Sequence, residues 1–206
     1  MALLSLRMQV ANSKPVGLLL AAGYSRRFGA DKLLARLANG MPVAVAAARA
    51  LRDGMTLALG KQTRIIAVIR PEQRDLAALL GGEGIEVLMS NAAQRGMGAS
   101  MAAAVAATAD APGWIVALGD MPFIQPETIA AVARALSSEN KIVAPAINGQ
   151  RGHPVGFGVS FGTALGTLDG DEGARRLLAE NEVTLIACDD TGILRDVDRP
   201  EDLHLR

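Results

Sequence analysis

Short, uninterrupted apolar runs alternate along this chain with longer Ala-rich stretches of helical spacing. An apolar run with no polar alternation reads as a strand covered on both faces, as in a parallel sheet. Such runs occur at Val16–Ala22, Arg64–Ile69, Ile85–Met89, Trp114–Leu118, Lys141–Ala146 and Val183–Ala187. Leu33–Leu37 reads as a further short strand, with Asn39-Gly40 as its turn, and Asn148-Gly149 is a second turn signal. Helices are expected from Pro42 to Arg52, where Pro suits a first turn, and from Glu72 to Leu80, where Gly81-Gly82 is the stop. Ser100–Ala109, Pro126–Leu136, Phe161–Leu168 and Glu172–Glu180 read as helices too, and Pro200–Leu205 as a closing helical turn.

Strands alternating with helices predict an α/β fold with a mostly parallel sheet. No linker or internal repeat divides the chain, so one domain is expected over residues 16–206, with residues 1–15 a loose extension in which Met8 is an alternative start. Ligands of such sheets bind beyond the carboxyl ends of the strands. The segments Gly23–Lys32, Asn91–Ser100 and Gly119–Pro122 each follow an expected strand. They should therefore converge on one edge.

The densest chemistry lies in Leu18–Leu34, LLLAAGYSRRFGADKLL. An apolar strand stops at Gly23, and a small polar loop carries Ser25, Arg26 and Arg27 toward Lys32. Glycine lets backbone N–H groups approach phosphate oxygens, and Arg and Lys neutralise them. A Walker loop is excluded, because Ala30 and Asp31 separate Gly29 from Lys32. A dinucleotide fingerprint fails because residue 25 is Ser rather than Gly. Spacing alone leaves two readings open: a phosphate loop, or a strand-to-helix turn with solvated arginines.

Leu20, Ala21, Ala22, Gly23, Ser25, Arg27, Gly29 and Lys32 also follow the opening motif of the molybdenum cofactor nucleotidyltransferases, with Phe28 where Met is usual. GMGASM at Gly96–Met101, GDMP at Gly119–Pro122, GHPVGF at Gly152–Phe157, GDEGAR at Gly170–Arg175 and DVDRPEDL at Asp196–Leu203 follow in that family's order. The chain thus resembles a molybdenum cofactor cytidylyltransferase over nearly its whole length after residue 15. The resemblance implies a single-domain, Rossmann-like three-layer fold of the nucleotide-diphospho-sugar transferase type. It implies transfer of CMP from CTP to the terminal phosphate of a pterin cofactor, with release of pyrophosphate. A guanylyltransferase of the same cofactor, a sugar-phosphate nucleotidyltransferase and a non-catalytic nucleotide-binding chaperone are the alternatives. Transient contact with a molybdenum hydroxylase is implied by the family alone.

The resemblance assigns Arg27 and Lys32 to the β- and γ-phosphates, and Leu20–Gly23 to the base and ribose through their backbone. Arg26 falls on a variable position. Asp120 and Asp198 are the expected Mg²⁺ ligands, since Mg²⁺ is a hard ion that takes oxygen donors. Asp196 could substitute for Asp198, because Arg199 interrupts the family's tail, and either could instead cap the closing turn. Gly96, Met97 and Ser100 are candidates for nucleotide contact, with Ser100 open to a plain N-cap reading. Arg95 stands where Gln is usual. His153 is expected on the acceptor side or as a structural histidine, and GDEGAR as a loop over the acceptor or a helix start. A phosphate monoester acceptor is already anionic, with a second pKa of about 6. The lack of a catalytic histidine dyad is therefore no objection.

Composition narrows the partners. The 206 residues are 50% hydrophobic, 20% charged and 3% aromatic, so a sizeable core must be built from Ala, Leu, Val and Ile. A formal net charge of zero and the absence of a basic run argue against nucleic acid and a membrane surface. Cys188 is the sole cysteine and reads as a buried thiol, and with two histidines it cannot form an ordinary structural zinc site. With no long apolar stretch and no convincing signal peptide, a cytoplasmic location is expected.

Overall fold

Strands with no polar face must lie inside a sheet that has helices on both sides. The computed structural model, which describes residues 14–25, 28–29 and 31–204, shows that arrangement. Strands β1 (Val16–Leu20), β2 (Ile65–Ile69), β3 (Glu86–Met89) and β4 (Gly113–Leu118) run parallel in the spatial order β3-β2-β1-β4. Beyond β4, the hairpin formed by β5 (Ile142–Ile147) and β6 (Gln150–Arg151) leads into β7 (Val155–Gly158). β7 is antiparallel to both β4 and β5, so β5 runs with the parallel set. β8 (Val183–Ala187) pairs with β5 in parallel.

The pleat sends alternate side chains to opposite cores. Leu19, Ala67 and Ile115 pack beneath α1 (Val43–Leu59) and α2 (Arg74–Gly82), and Leu18, Ile66 and Val116 pack beneath α3 (Met97–Ala106). α4 (Pro126–Ala135) completes the first face with Ile129 and Val132. The short α5 (Gly162–Gly166) and α6 (Arg175–Glu180) add Leu165, Leu177 and Leu178 to the second. The fold is single-domain α/β with a mostly parallel sheet, as the periodicity predicts. Among the described residues, no helix is long and apolar enough to cross a membrane.

Three expectations change. Leu33–Leu37 is a turn rather than a strand, with one isolated bridge between Arg36 and Pro42. The carbonyls of Leu33 and Ala35 accept from the N–H groups of Ala44 and Val43, the orphan donors at the start of α1, and no partner strand competes for them. α1 runs past Arg52 to Leu59 despite Gly54. A Cβ at Gly54 would lie 2.6 Å from the Pro126 carbonyl oxygen and from Ile129, so the missing side chain is what lets α1 cross α4 closely. β7 was not expected, because Gly156 and Gly158 dilute its apolar pattern. By contrast, Asn148 and Gly149 both adopt positive φ, 51° and 79°, as a tight two-residue hairpin turn requires.

α1 is also clamped to the end of α2. Arg49 donates to both carboxylate oxygens of Glu83, at 2.8 and 2.7 Å, and Arg52 donates to the Glu83 carbonyl at 3.1 Å. The Arg49 hydrogen bonds hold the Glu83 carboxyl below its ordinary pKa, against a smaller opposing effect of burial. A depressed carboxylate pKa contributes stability above the unfolded value, and the contribution is lost as pH falls through the folded value. Glu83→Gln is therefore expected to lower stability at pH 7, with the difference from the parent vanishing toward pH 3 in urea unfolding. Gly54→Val is expected to lower the unfolding free energy by about 1–3 kcal/mol through overpacking against α4, measured the same way.

Candidate active site

At the carboxyl edge, β1 hands its last ladder bonds to its neighbours: Ala21 N–H bonds Val68 O at 2.9 Å, and Gly119 N–H bonds Leu20 O at 2.9 Å. The chain then turns outward at Gly23. It folds back so that the Ser25 hydroxyl accepts from Lys32 N–H at 3.2 Å, with Ser25 at φ 48°. The return aims the Lys32 side chain inward, where the residue is 8% exposed. Its Nζ lies 2.8 Å from Asp120 Oδ2 and 2.9 Å from Asp198 Oδ1.

Each carboxylate arrives by a separate route. Asp120 follows β4 through Gly119, where a Cβ would stand 2.9 Å from that of Ala21. The C-terminal segment docks through Val197 N–H to the Asp120 carbonyl, at 2.8 Å. Asp202 Oδ2 accepts from the N–H groups of Asp198 and Arg199, at 3.0 and 2.8 Å, and fixes the turn that presents Asp198. Burial disfavours the charge on Lys32, but Asp120 and Asp198 outweigh it and the pKa is raised. The Asp196 carboxyl is pushed up by desolvation and by the charges of Asp198 and Asp120.

Asp120, Asp196 and Asp198 each offer one oxygen, all within 4.8 Å of one another. Three hard oxygen donors at that spacing suit Mg²⁺ or Mn²⁺, and the donor set has no soft ligand that would favour zinc or copper.

Two clefts meet at Asp120. The larger, about 520 Å³, has Leu20, Ala22 and Gly23 on one wall and Gly96, Met97 and Ser100 on the other. The second, about 340 Å³, has an apolar back that includes Met101, Val155 and Phe157, and a polar side on which Arg151, His153 and Arg175 stand with Glu172 and Asp196. Asp120 and Asp171 line both. A smaller recess, about 220 Å³, runs from Gly23 and Ser25 over Lys32 to Asp120 and Asp198. The expected convergence of the three strand-end loops is present.

Individual residues depart from the sequence reading. Ala21 points into the opposite core, so only its backbone belongs to this edge. Ser100 is not an N-cap: α3 begins at Met97, and the Ser100 hydroxyl donates to Gly96 O at 3.0 Å. Arg95 pairs with Asp169 at 2.9 Å, both side chains being exposed. His153 lines the second cleft, and its Nδ1 is buried with no hydrogen-bond partner. Burial lowers the His153 pKa against the opposing charge of Asp120, so the ring is neutral at pH 7. The GDEGAR segment packs on α3: Gly98 N–H bonds Gly170 O at 2.8 Å, and Gly96, at φ 126°, leaves room for Gly170 and Asp171. Arg26 and Arg27 lie outside the described residues. Sequence reasoning missed Arg70, Tyr24 and Asp171. Arg70 follows the end of β2 as Asp120 follows that of β4, so the same strand-end rule could have found it.

A family model described as the MobA-like NTP transferase domain matches residues 17–185. The chain belongs to that family. It is a MobA-like nucleotidyltransferase, with the fold of the nucleotide-diphospho-sugar transferase type. It is 27% identical to the purine catabolism protein PucB of Bacillus subtilis, over 92% of this chain and 94% of PucB. Among solved structures it is similar to Rv0371c of Mycobacterium tuberculosis, with TM-score 0.76 and 26% identity over 92% of this chain and 96% of that one. A manganese complex of Rv0371c superposes with TM-score 0.68 at 22% identity, over 85% and 88% of the two chains. A nucleotidyl transferase from Methanothermobacter gives TM-score 0.76 at 19% identity, over 92% and 94%.

Removing the cation from this MobA-like edge leaves facing carboxylates uncompensated. In metal-free buffer at pH 7, Lys32→Met is expected to lower stability by about 1–3 kcal/mol in urea unfolding. That is less than the loss of a fully buried pair, because the Asp198 side chain is 43% exposed.

Proposed function

We propose that this MobA-like protein transfers CMP from CTP to the terminal phosphate of a molybdopterin-type cofactor, with Mg²⁺ bound by Asp120 and Asp198. The observation that carries the reading is the junction of two clefts at Asp120, a carboxylate paired with a buried lysine. The larger cleft takes the nucleoside, the recess over Lys32 takes the β- and γ-phosphates, and the second cleft takes the acceptor. The manganese complex of the mycobacterial relative supports a divalent ion. When bound, that ion supplies charge neutralisation on the phosphates.

The chain's own residues orient and stabilise. An acceptor phosphate oxygen attacks the α-phosphorus, a new P–O bond forms, and the bond from that phosphorus to the oxygen bridging the β-phosphate breaks. Both electrons of the broken bond leave with pyrophosphate. Lys32, released from its carboxylates, stabilises the leaving group, and Arg27 is assigned the same task. The acceptor oxygen is already deprotonated near neutral pH, so no residue must act as a strong base. Positioning and electrostatics supply most of the acceleration. The apolar back wall of the second cleft suits a flat heterocycle, and Arg151 and Arg175 are the cations available for its anionic groups among the carboxylates of Asp171, Glu172 and Asp196. Delivery of the product to a molybdenum hydroxylase completes the proposal.

Incubation with each nucleoside triphosphate, Mg²⁺ and the pterin cofactor is expected to release pyrophosphate with CTP. Release with GTP alone reverses the base assignment, and release with a sugar phosphate but not the pterin reverses the acceptor. Asp120→Asn is expected to lower kcat by about 10²–10³-fold without loss of fold. A non-catalytic chaperone would show no turnover in the parent.

A further inference from the structure

Arg70 lies outside the acid cluster and lines neither cleft, yet it is only 8% exposed. A buried arginine needs partners for its charge and its five donors. Its Nη1 donates to the carbonyl oxygens of both Ala22 and Gly23, the latter at 2.7 Å. Its Nε donates to Glu72 at 2.9 Å. The guanidinium carbon lies 4.3 Å from the centroid of the Tyr24 ring, within cation–π range. Its own N–H bonds the Gln73 side chain at 2.9 Å, and Gln73 reaches Asp31, the neighbour of Lys32, at 3.4 Å. One side chain therefore braces three consecutive residues of the first loop from behind.

The consequence follows from peptide geometry. In a trans peptide the carbonyl and the next N–H point to opposite sides. With the Ala22 and Gly23 carbonyls drawn onto Arg70, the N–H vectors of Gly23 and Tyr24 are turned away from it. Ala22, Gly23 and Tyr24 all line the larger cleft.

We propose that Arg70 is a positioning residue for nucleotide recognition: it turns the Gly23 and Tyr24 N–H groups toward the nucleoside and holds the half-exposed Tyr24 ring as a wall of its cleft. This rests on the reading of the larger cleft as the nucleoside site. The ligand part it governs is the base and ribose. The phosphate tail is held separately, over Lys32.

Two measurements test it, on Arg70→Lys and Arg70→Met in the full chain. NMR backbone order parameters without nucleotide read the loop directly. Values at Gly23, Tyr24 and Ser25 are expected to fall by about 0.2 or more, toward those of flexible backbone, with β1 and β4 unchanged. Unchanged order parameters there overturn the proposal whatever the protein binds. Calorimetry then compares CTP, CMP and inorganic triphosphate. Both variants are expected to bind CTP and CMP about tenfold or more weakly, a loss in the range for charge-assisted hydrogen bonds, while inorganic triphosphate stays within about twofold. A parallel loss for all three overturns the proposal, because it signals general damage to the fold. A parent that binds no nucleoside triphosphate refutes the function reading instead, and the order-parameter result still decides the role of Arg70.

Discussion

The contact on which the candidate site depends is the Lys32 ammonium between Asp120 and Asp198. It joins three stretches remote in sequence: the loop after β1, the end of β4 and the C-terminal segment. Each is placed by backbone bonds of its own, through Ser25, Gly119 and Asp202. The lysine is thus a consequence of a prebuilt edge and also its electrostatic closure. Without it, three carboxylates within 4.8 Å would repel one another in a partly buried setting. With a triphosphate and a divalent ion, the same charges can re-pair without rebuilding the backbone. This low reorganisation is what phosphoryl chemistry rewards.

A second constraint is steric. Gly54, Gly98 and Gly119 lie where a Cβ would meet backbone or side chain of the neighbouring element at 2.6, 2.7 and 2.9 Å. The Gly54 contact sets the α1–α4 spacing behind the sheet. The Gly98 contact seats Asp169–Gly170 on the start of α3, which brings Asp171 to the wall shared by the two clefts. The Gly119 contact lets β1 and β4 end side by side. Close packing remote from the chemistry therefore sets distances at it, since packed interiors transmit displacement rather than absorb it.

Much of this was legible in the sequence, for physical reasons. Apolar runs such as Trp114–Leu118 admit few environments, so the sheet and its two covers follow from periodicity. The position of Asp120 follows from the strand-end rule. What was hidden depended on tertiary partners. Leu33–Leu37 has strand-like composition, but the first N–H groups of α1 take its carbonyls. β7 contains two glycines and is a strand only because β4 and β5 leave a slot between them. Ser100 has N-cap chemistry, yet Gly96–Gly98 start the helix earlier, by packing against Gly170. The strand-end rule marks the position of Arg70 but not its role, because its partners are carbonyls 47 and 48 residues away.

The charges near the cleft fall into two sets with different tasks. On the proposed reading, Lys32 and the aspartates face the reacting phosphates and change partners during a cycle. Arg70 is held by two backbone carbonyls, the Glu72 carboxylate and the Tyr24 ring. A guanidinium suits the second task, because its planar set of donors can hold carbonyls and a carboxylate while its face lies on an aromatic ring. An ammonium on a flexible stem suits the first, because its three donors follow whichever oxygens are nearest. The formal net charge of zero hides this division. On the proposed reading, Arg70 is the fixed charge behind the loop and Lys32 the exchangeable one, so the loop's amides stay in place while the ion pairs beneath them rearrange.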